Sequence, residues 1–161
     1  MPTERERVWR FISDYQREHD VEEFLMSDVA QYAAAHGYKL PPPISGIEQL
    51  TKKFSRLAAE EIRYDAVTGR PYRANHARMT DRDGKQIPLW FDMDKVQRPT
   101  LEKYVFQRRQ HVVQEMLQLT LDLDHWNAVH PNEEPVNAEP DLTDDIEWQK
   151  NSPDEGDKKA S

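Results

Sequence analysis

Basic side chains are concentrated in the middle of this 161-residue chain, at a density that suits contact with an anion. Residues 49–111 contain 14 Lys and Arg against 8 Asp and Glu, although the whole chain has a formal net charge of −8. Lys and Arg neutralise phosphates, and Gln and Arg can also read the edges of DNA bases with two hydrogen bonds. The candidate DNA-binding side chains are Gln49, Lys52, Lys53, Arg56, Arg63, Arg70, Arg73, His76 and Arg78.

Three Asp-x-Asp pairs form a second set of candidates for chemistry. They are Asp81 with Asp83, Asp92 with Asp94, and Asp122 with Asp124. Carboxylates that converge on Mg²⁺ support phosphoryl transfer, and residues two apart on a strand share one face. These pairs keep a metal-dependent nuclease open as an alternative function.

The residues that the chain lacks exclude most of the common enzyme motifs. There is no cysteine, so thiol nucleophiles, disulfides and thiolate metal sites are excluded. Neither the glycine-rich phosphate-binding patterns nor the GxSxG and HExxH motifs occur. No pair of the six histidines has the i, i+4 spacing of a helical metal site. We therefore expect a protein that is not an enzyme and that needs no metal or other cofactor.

The chain also lacks the patterns of membrane insertion and export. No apolar run approaches the roughly 20 residues that a membrane span needs. The first ten residues, MPTERERVWR, contain no apolar core of a signal peptide. The sequence therefore predicts a cytoplasmic protein without a membrane partner.

Four segments have the apolar periodicity and end signals of helices. They cover residues 4–19, residues 27–37, a stretch from Ser45 to about residue 61, and residues 99–121. Ser45 and Glu48 have the spacing of a capping box, which predicts the start of the third helix. Its apolar side would contain Ile47, Leu50, Phe54 and Leu57, opposite the side with Lys52, Lys53 and Arg56.

Strand-like runs separated by turn signals lie between the third and fourth helices. The runs cover residues 61–65, 70–79 and 86–94, and Thr68-Gly69 and Asp83-Gly84 are the turns between them. Because side chains alternate along a strand, one continuous strand over 70–79 would place Arg70, Tyr72, His76 and Arg78 on the same face. The predicted fold class is mainly α with a small antiparallel β-hairpin or three-stranded sheet (α+β).

Three helices followed by a basic hairpin resemble the winged helix-turn-helix class of DNA-binding domains, over about residues 4–94. The resemblance implies that the third helix enters the major groove and that the hairpin forms a wing against the DNA backbone or minor groove. It therefore implies binding of double-stranded DNA by a small regulator of transcription or replication. The segment 38–44, with three prolines, is longer than the usual connection before a recognition helix.

The predicted organisation is a winged-helix-like domain (1–96), a long helix (97–126) and an acidic, mostly disordered tail (127–161). The long helix either packs on its own domain or pairs with a second copy in a homodimer. The tail either solvates the chain or competes with DNA for the basic face. One further alternative is an interaction or scaffold protein whose basic face binds an acidic partner.

Overall fold

The computed structural model describes residues 1–152, which form five α-helices and four β-strands. The fold is mixed α+β, as the sequence predicts. The elements in chain order are α1 (Glu4–His19), α2 (Met26–Ala35), α3 (Gly46–Glu60), β1 (Ile62–Tyr64), β2 (Pro71–Arg73), β3 (Asn75–Arg82), β4 (Lys85–Asp92), α4 (Arg98–Val129) and α5 (Thr143–Asn151).

The chain divides into two compact units, and the division falls inside α3. The first unit is Met1–Lys53, and the second begins at Phe54. The domain boundary that the sequence predicts at residues 96/97 stays a prediction.

The first unit is held together by aromatic packing between α1 and α2. The ring of Tyr32 lies edge-on to Tyr15 at 5.7 Å and to Phe11 at 6.4 Å, measured between ring centroids. On the same helix as Tyr32, the side chains of Val29 and Ala33 become buried. The hydroxyl of Tyr32 donates to Glu18 Oε2 at 2.7 Å, and this bond raises the pKa of Tyr32.

Hydrogen bonds with nearby side chains cap the starts of α1 and α3, which lie at the two ends of the first unit. Thr3 and Glu6 form a complete capping box at the start of α1, with bonds of 2.7 and 3.2 Å. At the start of α3, the amide of Glu48 donates to Ser45 Oγ at 3.2 Å, which is the bond that the sequence predicts. Helix α2 begins at Met26, after Leu25, one residue before the predicted start at residue 27.

The strands of the second unit form two separate antiparallel sheets of two strands each, β1 with β2 and β3 with β4. The sequence predicts a single hairpin or a three-stranded sheet instead. The difference arises at Ala74, which is fully buried between β2 and β3. Its amide donates to the carbonyl of Glu61 at 3.0 Å, and its carbonyl accepts from the amide of Met93 at 2.8 Å. The backbone of Ala74 therefore bonds both to Glu61, just before β1, and to Met93, just after β4.

The predicted strand over residues 70–79 is consequently wrong. Arg70 precedes β2, Tyr72 lies in β2, and His76 and Arg78 lie in β3. These four side chains do not share a strand face. By contrast, the Asp83-Gly84 turn is as predicted, because both residues have positive φ, at 52° and 76°.

Helix α4 extends to Val129, eight residues beyond the end of the periodic segment at residue 121 and three beyond the predicted long helix of residues 97–126. Its first third lies along the free edge of β3, where the side-chain amide of Gln107 bonds to both backbone groups of Met79. At its far end, Asn127 makes two bonds of 2.8 and 2.9 Å with the backbone of Val136. The nine-residue helix α5 lies in the segment that the sequence predicts to be mostly disordered.

Candidate nucleic-acid interface

Helix α3 presents the first group of predicted DNA contacts. Gln49, Lys52, Lys53 and Arg56 are all exposed. Their i, i+3, i+4, i+7 spacing places them along one side of the helix. The amide nitrogen of Gln49 donates to the carbonyl of Ile44 at 3.0 Å, while the row of basic side chains extends into solvent.

Arg63 lies in a cluster of carboxylates within the second unit. Its guanidinium makes two bonds to Asp92, at 2.9 and 3.0 Å, and one to Asp94, at 2.7 Å. The carboxylate of Glu61 lies 3.6 Å away. The hydrogen bonds from Arg63 and from the Asp94 amide hold the pKa of Asp92 below its usual value. The charge of Arg63 is thus compensated inside the chain, and we leave Arg63 out of the proposed DNA contacts.

This cluster also bears on the Asp92 and Asp94 pair. The two carboxylates converge, as their spacing predicts, and the cation between them is the guanidinium of Arg63. The hydroxyl of Tyr72 donates to Asp94 at 3.0 Å; partial burial and then this bond raise the pKa of Tyr72. Within residues 1–152, no group of three or more His, Asp and Glu side chains is placed to hold a metal ion.

His76 connects β3 to α4. Its Nε2 lies 3.0 Å from the carbonyl of Arg73, and its Nδ1 lies 2.9 Å from the hydroxyl of Tyr104. A carbonyl can only accept, so Nε2 carries a proton and, in the neutral ring, Nδ1 accepts from Tyr104. Phe91 packs edge-on against Tyr104, with ring centroids 5.3 Å apart. His76 therefore helps to fix the angle at which α4 crosses the sheet.

An open groove of about 780 Å³ lies between this sheet and α4. We call it the β–α4 groove. Its lining combines cations, amides and aromatic rings and includes no carboxylate. The polar and aromatic lining residues are Arg73, Asn75, His76, Gln86, Trp90, Tyr104, Phe106, Gln107, Arg108, Gln110 and His111; Ala59, Ala77 and Met79 complete it.

Most of the groove residues were missed by reasoning from the sequence. Arg73 and His76 were among the predicted contacts, but Trp90 would be assigned to the core on its apolar neighbours alone. It is 42% exposed in the structure. Arg108 and His111 are spaced at i and i+3, with Gln107 and Gln110 beside them. This polar strip on one side of α4 is the feature of the sequence that could have indicated the groove.

The remaining predicted contacts lie around the same sheets. Arg78 is half-buried in a hollow with Pro99, Glu102 and Lys103, and its Nε is a buried nitrogen without a hydrogen-bond partner. Arg70 donates to the side chain of Asn151 at 3.0 Å, at the end of α5. Thus Arg73 and His76 line the groove, whereas Arg70 and Arg78 lie outside it.

No family model, curated protein or solved structure matched this chain. Among the helices of residues 1–152, none has the length and apolar composition to cross a membrane.

Proposed function

We propose that the chain binds DNA and that the β–α4 groove of the second unit is a principal contact surface. The observation that supports this is the composition of the groove. In a chain of net charge −8, a groove whose polar side chains are cations and amides, without a carboxylate, favours an anionic ligand. Exposed aromatic rings beside those cations suit nucleotides better than a plain inorganic anion.

The roles within the groove follow from side-chain chemistry. Arg73 and Arg108 would bind phosphates, because each carries an exposed guanidinium. Gln86 and Gln110 offer amides that can pair with base edges, and the ring of Trp90 offers a surface for stacking. The backbone phosphates of a duplex would contact Arg73 and Arg108, and an unpaired base would stack on Trp90.

The winged helix-turn-helix interpretation remains part of this proposal. Three helices precede a two-stranded hairpin, β3–β4, which corresponds to the wing in element order. An additional short hairpin, β1–β2, lies between α3 and the wing in the sequence. We propose that the row Gln49, Lys52, Lys53 and Arg56 on α3 makes its own contacts with DNA, and we test it separately from the groove.

A titration of duplex DNA against the double variant Arg73→Ala/Arg108→Ala tests the groove. We expect weaker binding, with a salt slope that falls by about 0.9 for each phosphate that the variant no longer neutralises. Arg98→Ala is the matched control, because Arg98 lies in the same helix, is exposed and pairs with Glu102 at 2.7 Å. If the control, which removes one charge, weakens binding half as much as the double variant, which removes two, then only the net charge matters, and this result would contradict a specific groove.

The same titration separates the alternatives. If the wild-type chain shows no salt-dependent binding to duplex or single-stranded DNA, the DNA-binding proposal fails and the scaffold alternative with an acidic partner gains support. If single-stranded DNA binds more tightly than duplex and binding depends on Trp90, then unpaired bases are the ligand. If DNA is degraded only when Mg²⁺ is added, the nuclease alternative is correct.

The contribution of α3 is tested with the triple variant Lys52→Ala/Lys53→Ala/Arg56→Ala. All three side chains are exposed, so we expect the fold to be unchanged. We expect the affinity for duplex DNA to fall by more than the loss of a single phosphate contact would cause. Unchanged affinity in the folded variant would remove α3 from the interface and leave the groove proposal standing.

A further inference from the structure

Helix α4 uses different sides for different contacts along its 32 residues. Near its start, Tyr104 and Gln107 face the sheet and bond to His76 and Met79. With 3.6 residues per turn, His111 lies on the same side, toward the groove. Beyond this point, the side-chain bonds of α4 to other segments of residues 1–152 are the two between Asn127 and the backbone of Val136.

A second side of α4, distinct from the one with Tyr104, Gln107 and His111, carries an apolar row that Arg109 interrupts, and we call this row the α4 seam. From Val112 onward its residues are spaced alternately four and three apart, which is the heptad pattern of paired helices. Three of its members keep large exposed fractions, with 52% for Val105, 45% for Val112 and 43% for Leu119. The seam consists of Val105, Val112, Met116, Leu119, Leu123 and Trp126.

We propose that the chain forms a homodimer in which the α4 seams of two copies pair in antiparallel orientation. Arg109 decides the orientation, because it occupies a seam position between Val105 and Val112. In a parallel pair in register, the two Arg109 side chains would face each other, and like charges would meet inside the interface. An antiparallel pair separates them by about 26 Å, which is 17 residues at 1.5 Å each.

The antiparallel register also supplies each Arg109 with favourable neighbours. When Met116 of one copy faces Leu119 of the other, Val112 faces Leu123. Arg109 then lies at the level of Trp126, and Asp122 of the second copy is about one helical turn away. One face of the Trp126 ring stacks on His130, with ring centroids 4.2 Å apart, so the guanidinium would approach the other face. There it is attracted to the ring and to the nearby carboxylate. Two-fold symmetry repeats this arrangement at the other end of the seam.

The absence of cysteine in the chain makes a direct cross-linking test possible. We would prepare Val112→Cys and Leu123→Cys as separate full-length proteins, mix them under reducing conditions, and then oxidise the mixture. We expect a disulfide-linked dimer that contains one copy of each, because these two positions face each other only in the antiparallel register. Neither protein alone should cross-link.

Every other pattern of cross-links contradicts the proposal. Efficient cross-linking of Val112→Cys with itself would show a parallel pair. No cross-link in the mixture, together with a monomeric mass for the wild-type chain in sedimentation, would show that the seam does not pair.

Charge variants test the same register without a disulfide. Met116→Lys and Leu119→Glu should each raise the dimer Kd at least about tenfold, because each buries an unpaired charge. A mixture of the two should recover dimer, since the new charges face each other in the antiparallel pair. The control is Leu117→Glu, which lies on a neighbouring exposed row of α4. Dissociation by the control, with no effect of Leu119→Glu, would overturn the assignment of the seam. None of these outcomes depends on DNA binding.

Discussion

At the scale of single residues, half-buried polar groups and one buried backbone position connect the elements of the second unit. Arg63 connects β1 to the end of β4 through Asp92 and Asp94, and Ala74 makes the backbone connection beside it. His76 makes the link from β3 to α4. These contacts join elements that are far apart in the sequence, so removing any of them should loosen the unit.

The Arg63 cluster predicts a dependence of stability on pH. The pKa of Asp92 is lower in the folded chain than in the unfolded chain, so its ionised form favours folding. Its contribution is complete above the ordinary value of about 3.9 and is lost as the pH falls through the lowered folded value. We therefore expect Asp92→Asn to have a lower Tm than the wild-type chain at neutral pH, and we expect this difference in Tm to shrink as the pH falls through the lowered pKa of Asp92.

Thermal unfolding by circular dichroism across pH measures this effect. The control is Asp83→Asn, an exposed carboxylate in the β3–β4 turn. A Tm difference between Asp92→Asn and wild type that stays constant at all pH values would show that the ion pair contributes nothing through its charge.

Tyr104→Phe isolates the bond to His76. The substitution keeps the ring that packs on Phe91 and removes the hydroxyl 2.9 Å from His76 Nδ1. We expect a loss of about 0.5–1.5 kcal/mol in the free energy of unfolding, which is the net value of a typical hydrogen bond. Chemical denaturation is the measurement, and Tyr64→Phe at an exposed tyrosine is the matched control. A loss of equal size at Tyr64 would assign the effect to something other than this bond.

At the scale of elements, Ala74 lies at a bend between β2 and β3, where the sequence predicts one continuous strand over residues 70–79. Because its side chain is fully buried, the site at the junction of β2 and β3 leaves little room for anything larger than a methyl group.

Ala74→Leu should therefore destabilise the chain by about 1–3 kcal/mol, the usual cost of forcing extra methylene groups into a packed site. Denaturant midpoints give the difference from wild type. Ala66→Leu makes the same change at an exposed position of the β1–β2 turn and should leave the midpoint almost unchanged. Equal denaturant midpoints for wild type and Ala74→Leu would mean that the site at residue 74 accepts a larger side chain without loss of stability.

At the scale of the whole molecule, the charge of the chain is divided between a basic middle and an acidic end. Residues 131–161 carry 10 acidic and 3 basic side chains. In the described part of this stretch, the link back to the strands is the bond between Asn151 and Arg70. Helix α5 carries Asp144 and Asp145 in its first turn, so negative charge lies within a segment that is bonded to Arg70, just before β2.

Deleting residues 131–161 should change the Tm little, because few of the described side chains in this stretch become buried on folding. If the chain binds DNA as proposed, the deletion should also tighten binding at low salt, since a tethered anion no longer competes. This gain should shrink as salt rises. Thermal unfolding and DNA titration at two salt concentrations test both parts. A large fall in Tm would identify the segment as a structural element, and equal affinities at low salt would show that it does not compete.

The parts of the fold that local chemistry specifies could be predicted from the sequence. The Ser45 cap, the Asp83-Gly84 turn and the start of the fourth helix near residue 99 each depend on residues only a few positions apart. The break at Ala74 could not be predicted, because its partners Glu61 and Met93 are distant in sequence. The groove was missed for the same reason, since it exists only once α4 lies against β3.

The side chain of Gln107 does what a neighbouring strand would do. Its carboxamide accepts from the amide of Met79 at 3.1 Å and donates to the carbonyl of Met79 at 2.8 Å, so it imitates one peptide unit at the free edge of β3. An unpaired edge is where sheets of separate molecules add to one another, and this edge is occupied near its middle. Gln107→Leu would preserve α4 but leave the amide and carbonyl of Met79 without these hydrogen bonds. Concentrated solutions of that variant should then form β-rich aggregates that scatter light. One amide, supplied by a helix, would thus keep a strand from recruiting other molecules.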